Sequence, residues 1–212
     1  TTLSQIQKNQ AKYANFKPST SGSMGPWQGC EGIQPIVPLT SLRAPLKASI
    51  DSFEAEGNTH IPQGVVWGWR VLSPGEPFTE GAPYNDKFWH KIMVVMTDGD
   101  NTIAQTSDTI NKSYYSAYGY VAQGRLDSTT VSTALSNMNT RLTTVCTNAK
   151  NAGIEIYTIA FGPAKDISTA SRNLLRGCAS SPEKYLEAPD GATLREHFKA
   201  IGTSLRKMYL SK

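Results

Sequence analysis

Two short apolar runs constrain this chain more than any other feature. Lys91-Ile92-Met93-Val94-Val95-Met96 stops at Thr97-Asp98-Gly99, and Ile154-Glu155-Ile156-Tyr157-Thr158-Ile159-Ala160-Phe161 stops at Gly162-Pro163. Runs of β-branched and aromatic residues bounded by turn residues are the pattern of strands buried on both faces of a parallel sheet. Between them Leu135, Met138, Leu142, Val145 and Ala149 recur at helical spacing, with Lys150 in the last turn and Gly153 as a C-terminal stop. Strands alternating with helices predict an α/β fold, a Rossmann-like parallel sheet with helices on both faces.

The flanking segments fit that frame. Residues 1–40 hold Ser, Gly and Pro clusters without a sustained period and read as a loop-rich lead-in, leaving 41–212 as the folded part. Leu42, Leu46, Ile50 and Phe53 predict an amphipathic helix closed by Gly57, and Val65, Val66, Trp69 and Leu72 a second one over 64–72. A helix over 168–178, a short strand over 184–187 and a last helix carrying Leu194, Phe198, Ile201 and Leu205 complete the chain. Residues 100–128 are polar, rich in Tyr, Ser, Gly and Asn, and too long for a minimal strand-to-helix connection, so they read as an insertion near the site.

Composition removes several function classes. With 212 residues, 39% hydrophobic and 18% charged, the chain can bury one sizeable core, and no apolar run is long enough to span a bilayer. The net charge of +4 is spread without any Lys/Arg block longer than a pair, too diffuse for a nucleic-acid footprint. Thr1 with no apolar signal core after it reads as the start of a piece of something longer. Cys30, Cys146 and Cys178 lack zinc-ligand spacing; two could pair in an oxidising compartment, or all could be thiols.

In open parallel sheets the ligand site lies beyond the carboxyl ends of the strands, where Thr97-Asp98-Gly99-Asp100-Asn101 falls. A carboxylate mounted there can offer a hard oxygen to a divalent cation or act as a nucleophile, while a plain Asp-Gly turn is the simpler alternative. Tyr114, Tyr115, Tyr118 and Tyr120 in the insertion would make an adaptable partner-binding surface when exposed. Trp67, Trp69 and Phe78 read as packing aromatics, and His60, His90 and His197 have no mutual spacing that assigns them a role.

Four blocks carry a family resemblance: P-I-V-P-L-T (Pro35 to Thr40), E-G-N-T-H-I-P-Q-G-V-V-W-G-W-R-V-L-S-P (Glu56 to Pro74), K-I-M-V-V-M-T-D-G-D-N (Lys91 to Asn101) and C-T-N-A-K-N-A-G-I-E-I-Y-T-I-A-F (Cys146 to Phe161). With the tail from Leu174 to Ala188, they resemble the C-terminal part of the von Willebrand factor type A (vWA) domain of TadG-like proteins of Tad (Flp) pilus systems. The resemblance implies a vWA-like sheet whose N-terminal strands lie upstream, and a non-enzymatic binding and assembly module of the periplasm or cell surface. It further implies a membrane anchor in the full-length protein, and pilus or envelope proteins as partners. It implies a partial metal-ion-dependent adhesion site in which Thr59 and Asp98 hold Mg²⁺ or another divalent cation, and a disulfide between Cys146 and Cys178. Ser19-Thr20-Ser21-Gly22-Ser23-Met24 only echoes the family's first metal loop, with Ser19 where an Asp belongs. Two other readings stand beside this one. Asp98-Gly99-Asp100-Asn101-Thr102 fits the D-x-D-x-T of haloacid dehalogenase-type phosphatases, with Asp98 as nucleophile and Asp100 as acid/base. The other is a structural pseudo-vWA domain that binds no metal.

Overall fold

A computed structural model describes residues 34–54, 57–107 and 111–210, with side chains to Arg206. Most of the lead-in, the Ser19–Met24 loop and Cys30 therefore lie outside the described residues. The elements are α1 (Arg43–Asp51), α2 (Ile61–Leu72), β1 (Lys91–Thr97), α3 (Val131–Asn151), β2 (Ile154–Phe161), α4 (Thr169–Cys178), β3 (Tyr185–Ala188) and α5 (Gly191–Leu210), with single 3-10 turns at Val121–Gln123 and Pro182–Lys184. The chain divides into two compact units. Among the described residues, one joins those up to His60 with those of Thr102–Thr140, and the other joins Ile61–Asn101 with those after Thr140.

The second unit is the predicted α/β fold. Its three strands lie parallel in the order β1-β2-β3, and β1 pairs with β2 along its whole length, from Lys91 opposite Ile154 to Thr97 opposite Ala160. Alternation along the strands sends Met93, Ile154 and Ile156 to one face, where Val65 of α2, Leu142, Cys146 and Ala149 of α3 and Cys178 of α4 pack on them. The opposite face carries Tyr157 and Ile159, covered by Ile201, Leu194 and Leu205 of α5. Helices thus flank the sheet on both sides, three on one and one on the other. The single helix leaves the β1 side of its face open, with Val94 and Met96 37% and 50% exposed.

The Trp67-Gly68-Trp69 block is structural. Gly68 faces β1 closely: a Cβ there would stand 3.3 Å from the Met93 sulfur, so a larger residue would make the Met93 side chain shift. Trp67 makes an edge contact with Phe78 (centroids 6.3 Å apart), and the Trp69 indole donates to the Tyr84 hydroxyl at 2.7 Å. The buried Lys91 ammonium donates to the carbonyls of Leu72 and Ala82, which ties the start of β1 to the end of α2 and to the Pro/Gly-rich loop between them. Gly81 passes so close to the Leu72 and Ser73 carbonyls that any Cβ would collide with them.

The C-terminal half of α3 is fixed to the end of α4 by two devices. Cys146 and Cys178 form a disulfide, the pair that the resemblance implies, with Cα atoms 5.1 Å apart. One turn on, Lys150 donates to the Gly177 carbonyl at 2.7 Å and the Ala179 carbonyl at 3.2 Å, filling acceptors that the end of α4 leaves open. α4 itself starts where Ser168 caps it, its hydroxyl accepting from the Ser171 N–H at 3.1 Å.

The first unit has its own small core of Ile103, Val121, Leu126, Ala134 and Met138, closed by the amide of Asn137 donating to the Leu126 carbonyl at 2.7 Å. Within the expected insertion, Ile103, Val121 and Leu126 pack on Ala134 and Met138 in the first turns of α3. The helix expected from Leu42, Leu46, Ile50 and Phe53 forms as α1, but its stripe is not buried. Leu42, Ile50 and Phe53 are each at least 63% exposed, and α1 buries no residue. Phe198, expected on the buried face of the last helix, is 46% exposed, because the sheet beneath α5 is narrow and Ile201 takes the contact.

The disulfide links positions 32 residues apart, and on the chain-entropy account it contributes about 3 to 4 kcal/mol. Replacing both cysteines with Ser is expected to lower the free energy of urea unfolding by that order. A loss under about 0.5 kcal/mol would show that the α3–α4 contact stands without the bond.

Candidate functional site

The residues after β1 divide the work among themselves, and the division depends on where the paired strands end. Thr97, the last residue of β1, is buried, and its hydroxyl closes the turn by donating to the Gly99 carbonyl at 3.0 Å and accepting from the Gly99 N–H at 3.3 Å. Because β1 and β2 finish side by side, the segment after β1 meets the one after β2. The Asp100 carboxylate accepts from the Ser168 N–H at 2.9 Å, at the start of α4. Partial burial pushes the Asp100 carboxyl upward. The hydrogen bonds from the Ser168 N–H and from the Ser168 and Ser171 hydroxyls outweigh that push, so it titrates below the usual Asp value.

Asn101 is 5% exposed, and its Oδ1 accepts from the Ile61 N–H at 2.8 Å. It therefore caps α2 from a position 40 residues away in sequence, at a helix start whose next residue, Pro62, has no N–H to satisfy. Sequence reasoning missed this role. Asn101 carries no local signal of it, because a cap is normally read from the residue just before a helix.

Asp98 is different from its neighbours. It is exposed, and no described residue bonds its carboxylate. The stiff end of a paired strand on one side and the Thr97–Gly99 turn on the other hold its backbone, while its oxygens face solvent. Thr59 belongs to the other compact unit, where its carbonyl accepts from the Thr102 N–H at 2.9 Å. It lies two residues before α2, one too early for the N-cap position. Both side chains offer hard oxygens of the kind Mg²⁺ takes, but no group of three or more His, Cys, Asp or Glu among the described residues could hold an ion. Within its own unit, Asp98 offers one such ligand by itself.

The remaining expected residues are placed by packing. Tyr120 is 1% exposed, so it belongs to the interior of the first unit and offers no contact surface. Tyr115 meets it edge-on with centroids 5.1 Å apart, and Tyr118 stacks on His60 at 5.8 Å and packs on the small core. Of the four tyrosines expected to bind a partner, Tyr114 alone is largely exposed, at 40%. Aromatic residues in a short polar stretch buried one another instead of facing solvent. Burial pushes the His60 imidazole below its usual value, and a hydrogen bond with the Thr102 backbone opposes this. His197 holds its Nε2 2.9 Å from the Glu187 carbonyl.

No protein-family model matches this sequence, and no curated protein matches it. Solved structures do. The chain is similar to proximal thread matrix protein 1 from the mussel byssus, with 16% identity, a TM-score of 0.47, and 77% of this chain matched to 32% of that one. It is also similar to the pilus adhesin SpaC from Lactobacillus rhamnosus GG in its open conformation, with 15% identity, a TM-score of 0.48, and 78% of this chain matched to 21% of that one. The chain thus spans about a third and about a fifth of the lengths of these two proteins.

The Asp100 bonds set a pH dependence. A carboxyl whose folded value is lowered contributes stability above its unfolded value of about 4, and that contribution is lost as pH falls through the folded value. Urea melts of the native chain and of Asp100→Asn at pH 6 and pH 3 are expected to show a smaller acid loss in the variant. Equal losses would mean that Asp100 does not hold α4 through its charge.

Proposed function

We propose that this chain is the later part of a vWA-like domain of TadG type, acting as a non-enzymatic binding and assembly module outside the cytoplasm. Its work is done at the carboxyl end of β1. A divalent cation, Mg²⁺ by preference, is held there in part by Asp98, and the remaining positions are left to water and to a partner's oxygen. The observation that carries this reading is the unpaired Asp98 carboxylate, rigidly mounted beside Thr97, Asp100 and Asn101, whose side chains are all engaged in holding the fold. The Cys146–Cys178 disulfide supports an oxidising compartment, the periplasm or cell surface. No helix among the described residues is long and apolar enough to cross a membrane, so the reading places any anchor elsewhere in the full-length protein. The partners proposed are pilus or envelope proteins.

The phosphatase reading is less well supported, because it needs Asp100 free to handle a proton. Here that carboxylate is bonded at the start of α4 and is held ionised by those bonds. Calorimetric titration with MgCl₂ separates the readings. Weak saturable binding is expected for the native chain and none for Asp98→Asn, together with no turnover of p-nitrophenyl phosphate. Identical heats from the two proteins would leave the metal-free scaffold as the account, and turnover that depends on Asp98 would favour the enzyme.

A further inference from the structure

At the opposite end of the strands from Asp98, the second unit has a corner its sheet does not fill. β3 begins opposite Thr158, so the first four residues of β2 have no strand beside them on that side. Ser180 substitutes for one: its hydroxyl accepts from the Ile156 N–H at 2.8 Å, and its own N–H donates to the Ile156 carbonyl at 2.9 Å. On the α5 face of this corner lies a groove of about 340 Å³, floored by Tyr157, Leu186 and Ile201 and rimmed by Glu155, Glu183 and Lys184.

The groove is charged in a particular way. Two carboxylates against one ammonium leave a local charge of −1 on a chain whose net charge is +4. Glu155 Oε1 is buried yet accepts no hydrogen bond. Lys184 approaches it only as a loose ion pair, 3.5 Å away, with its ammonium 5.7 Å from the Tyr157 ring centre and both charged side chains about a quarter exposed. An acceptor without a donor is a defect that a ligand can correct. The same end of the sheet holds Phe88 and Trp89, which precede β1 and are 89% and 67% exposed, although a turn closed by Asp86 orders their backbone. Exposed aromatics are what protein interfaces use as anchors.

We propose that this groove takes an arginine side chain of a partner protein, with Phe88 and Trp89 as apolar contacts at the same end of the sheet. A guanidinium brings five N–H donors in a plane, enough to satisfy Glu155 and reach Glu183 together. Its flat face lies on Tyr157 as the Lys184 ammonium now does, and its methylenes cover Leu186 and Ile201. Lys184 swings out to solvent as the arginine enters. The complementarity is one of charge and of hydrogen-bond donors, so a neutral isostere of the same shape is the proper control.

The test is an NMR titration of the full chain with acetyl-Leu-Arg-Leu-amide and with the same peptide carrying citrulline. Saturable shifts at Tyr157, Leu186 and Ile201 are expected with the arginine peptide, with affinity at least about tenfold weaker for citrulline and for Glu155→Gln. Lys184→Met, which removes the competing ammonium, is expected to tighten arginine binding, and this keeps the test open should Glu155→Gln fold poorly. Equal affinities for the two peptides, shifts that do not saturate, or an affinity unmoved by Lys184→Met would overturn the proposal. Asp98→Asn is expected to bind the peptide as the native chain does, so failure of the cation site and failure of this groove are read separately.

Discussion

The parallel pairing of β1 with β2, in register to their last residues, is the constraint from which the rest of the second unit follows. The pairing fixes where each strand ends as firmly as where it runs, because a shift of one residue would take Met93 off the face covered by α2 and α3 and turn it to the more open side where Val94 and Met96 lie. With both strands ending at one level, the two loops that leave them are neighbours. That proximity lets Asp100 reach the start of α4 across 68 residues of sequence, and it leaves Asn101 in place to cap α2. The helices are thus located by polar side chains of a single five-residue segment as well as by their apolar faces.

That arrangement also decides what the segment can do chemically. Of its two carboxylates, one is consumed in holding a helix and the other has no partner among the described residues. A mechanism that needs both carboxylates free has little to work with. The proposed cation role asks less, a single hard anionic oxygen on a stiff mount. The cost of orienting Asp98 is met by neighbours that need to be ordered for the fold in any case.

Much of the second unit was legible in the sequence, because its signals are local. The runs ending at Met96 and Phe161 and the helical period from Leu135 to Ala149 each declare themselves within a few residues. What was not legible depends on contacts far apart in the chain. Nothing near Asn101 announces that it caps Ile61, and nothing near Tyr120 distinguishes a buried ring from an exposed one in the same Tyr/Ser/Gly composition. The stripe on α1 was read correctly as a helix, but periodicity says only that a face is apolar, not that anything covers it. The disulfide was implied by resemblance, since three cysteines alone left the pairing open.

The account's central claim is that the segment after β1 is a structural hub in which Asp98 alone has no structural task. Urea denaturation of Asp98→Ala beside Asn101→Ala measures this directly. Loss of the α2 cap is expected to cost about 1 to 2 kcal/mol, whereas Asp98→Ala is expected to stay within about 0.5 kcal/mol of the native chain. A loss on removing Asp98 as large as that on removing Asn101 would contradict the account, because Asp98 would then be one more structural residue rather than a group held ready for a ligand.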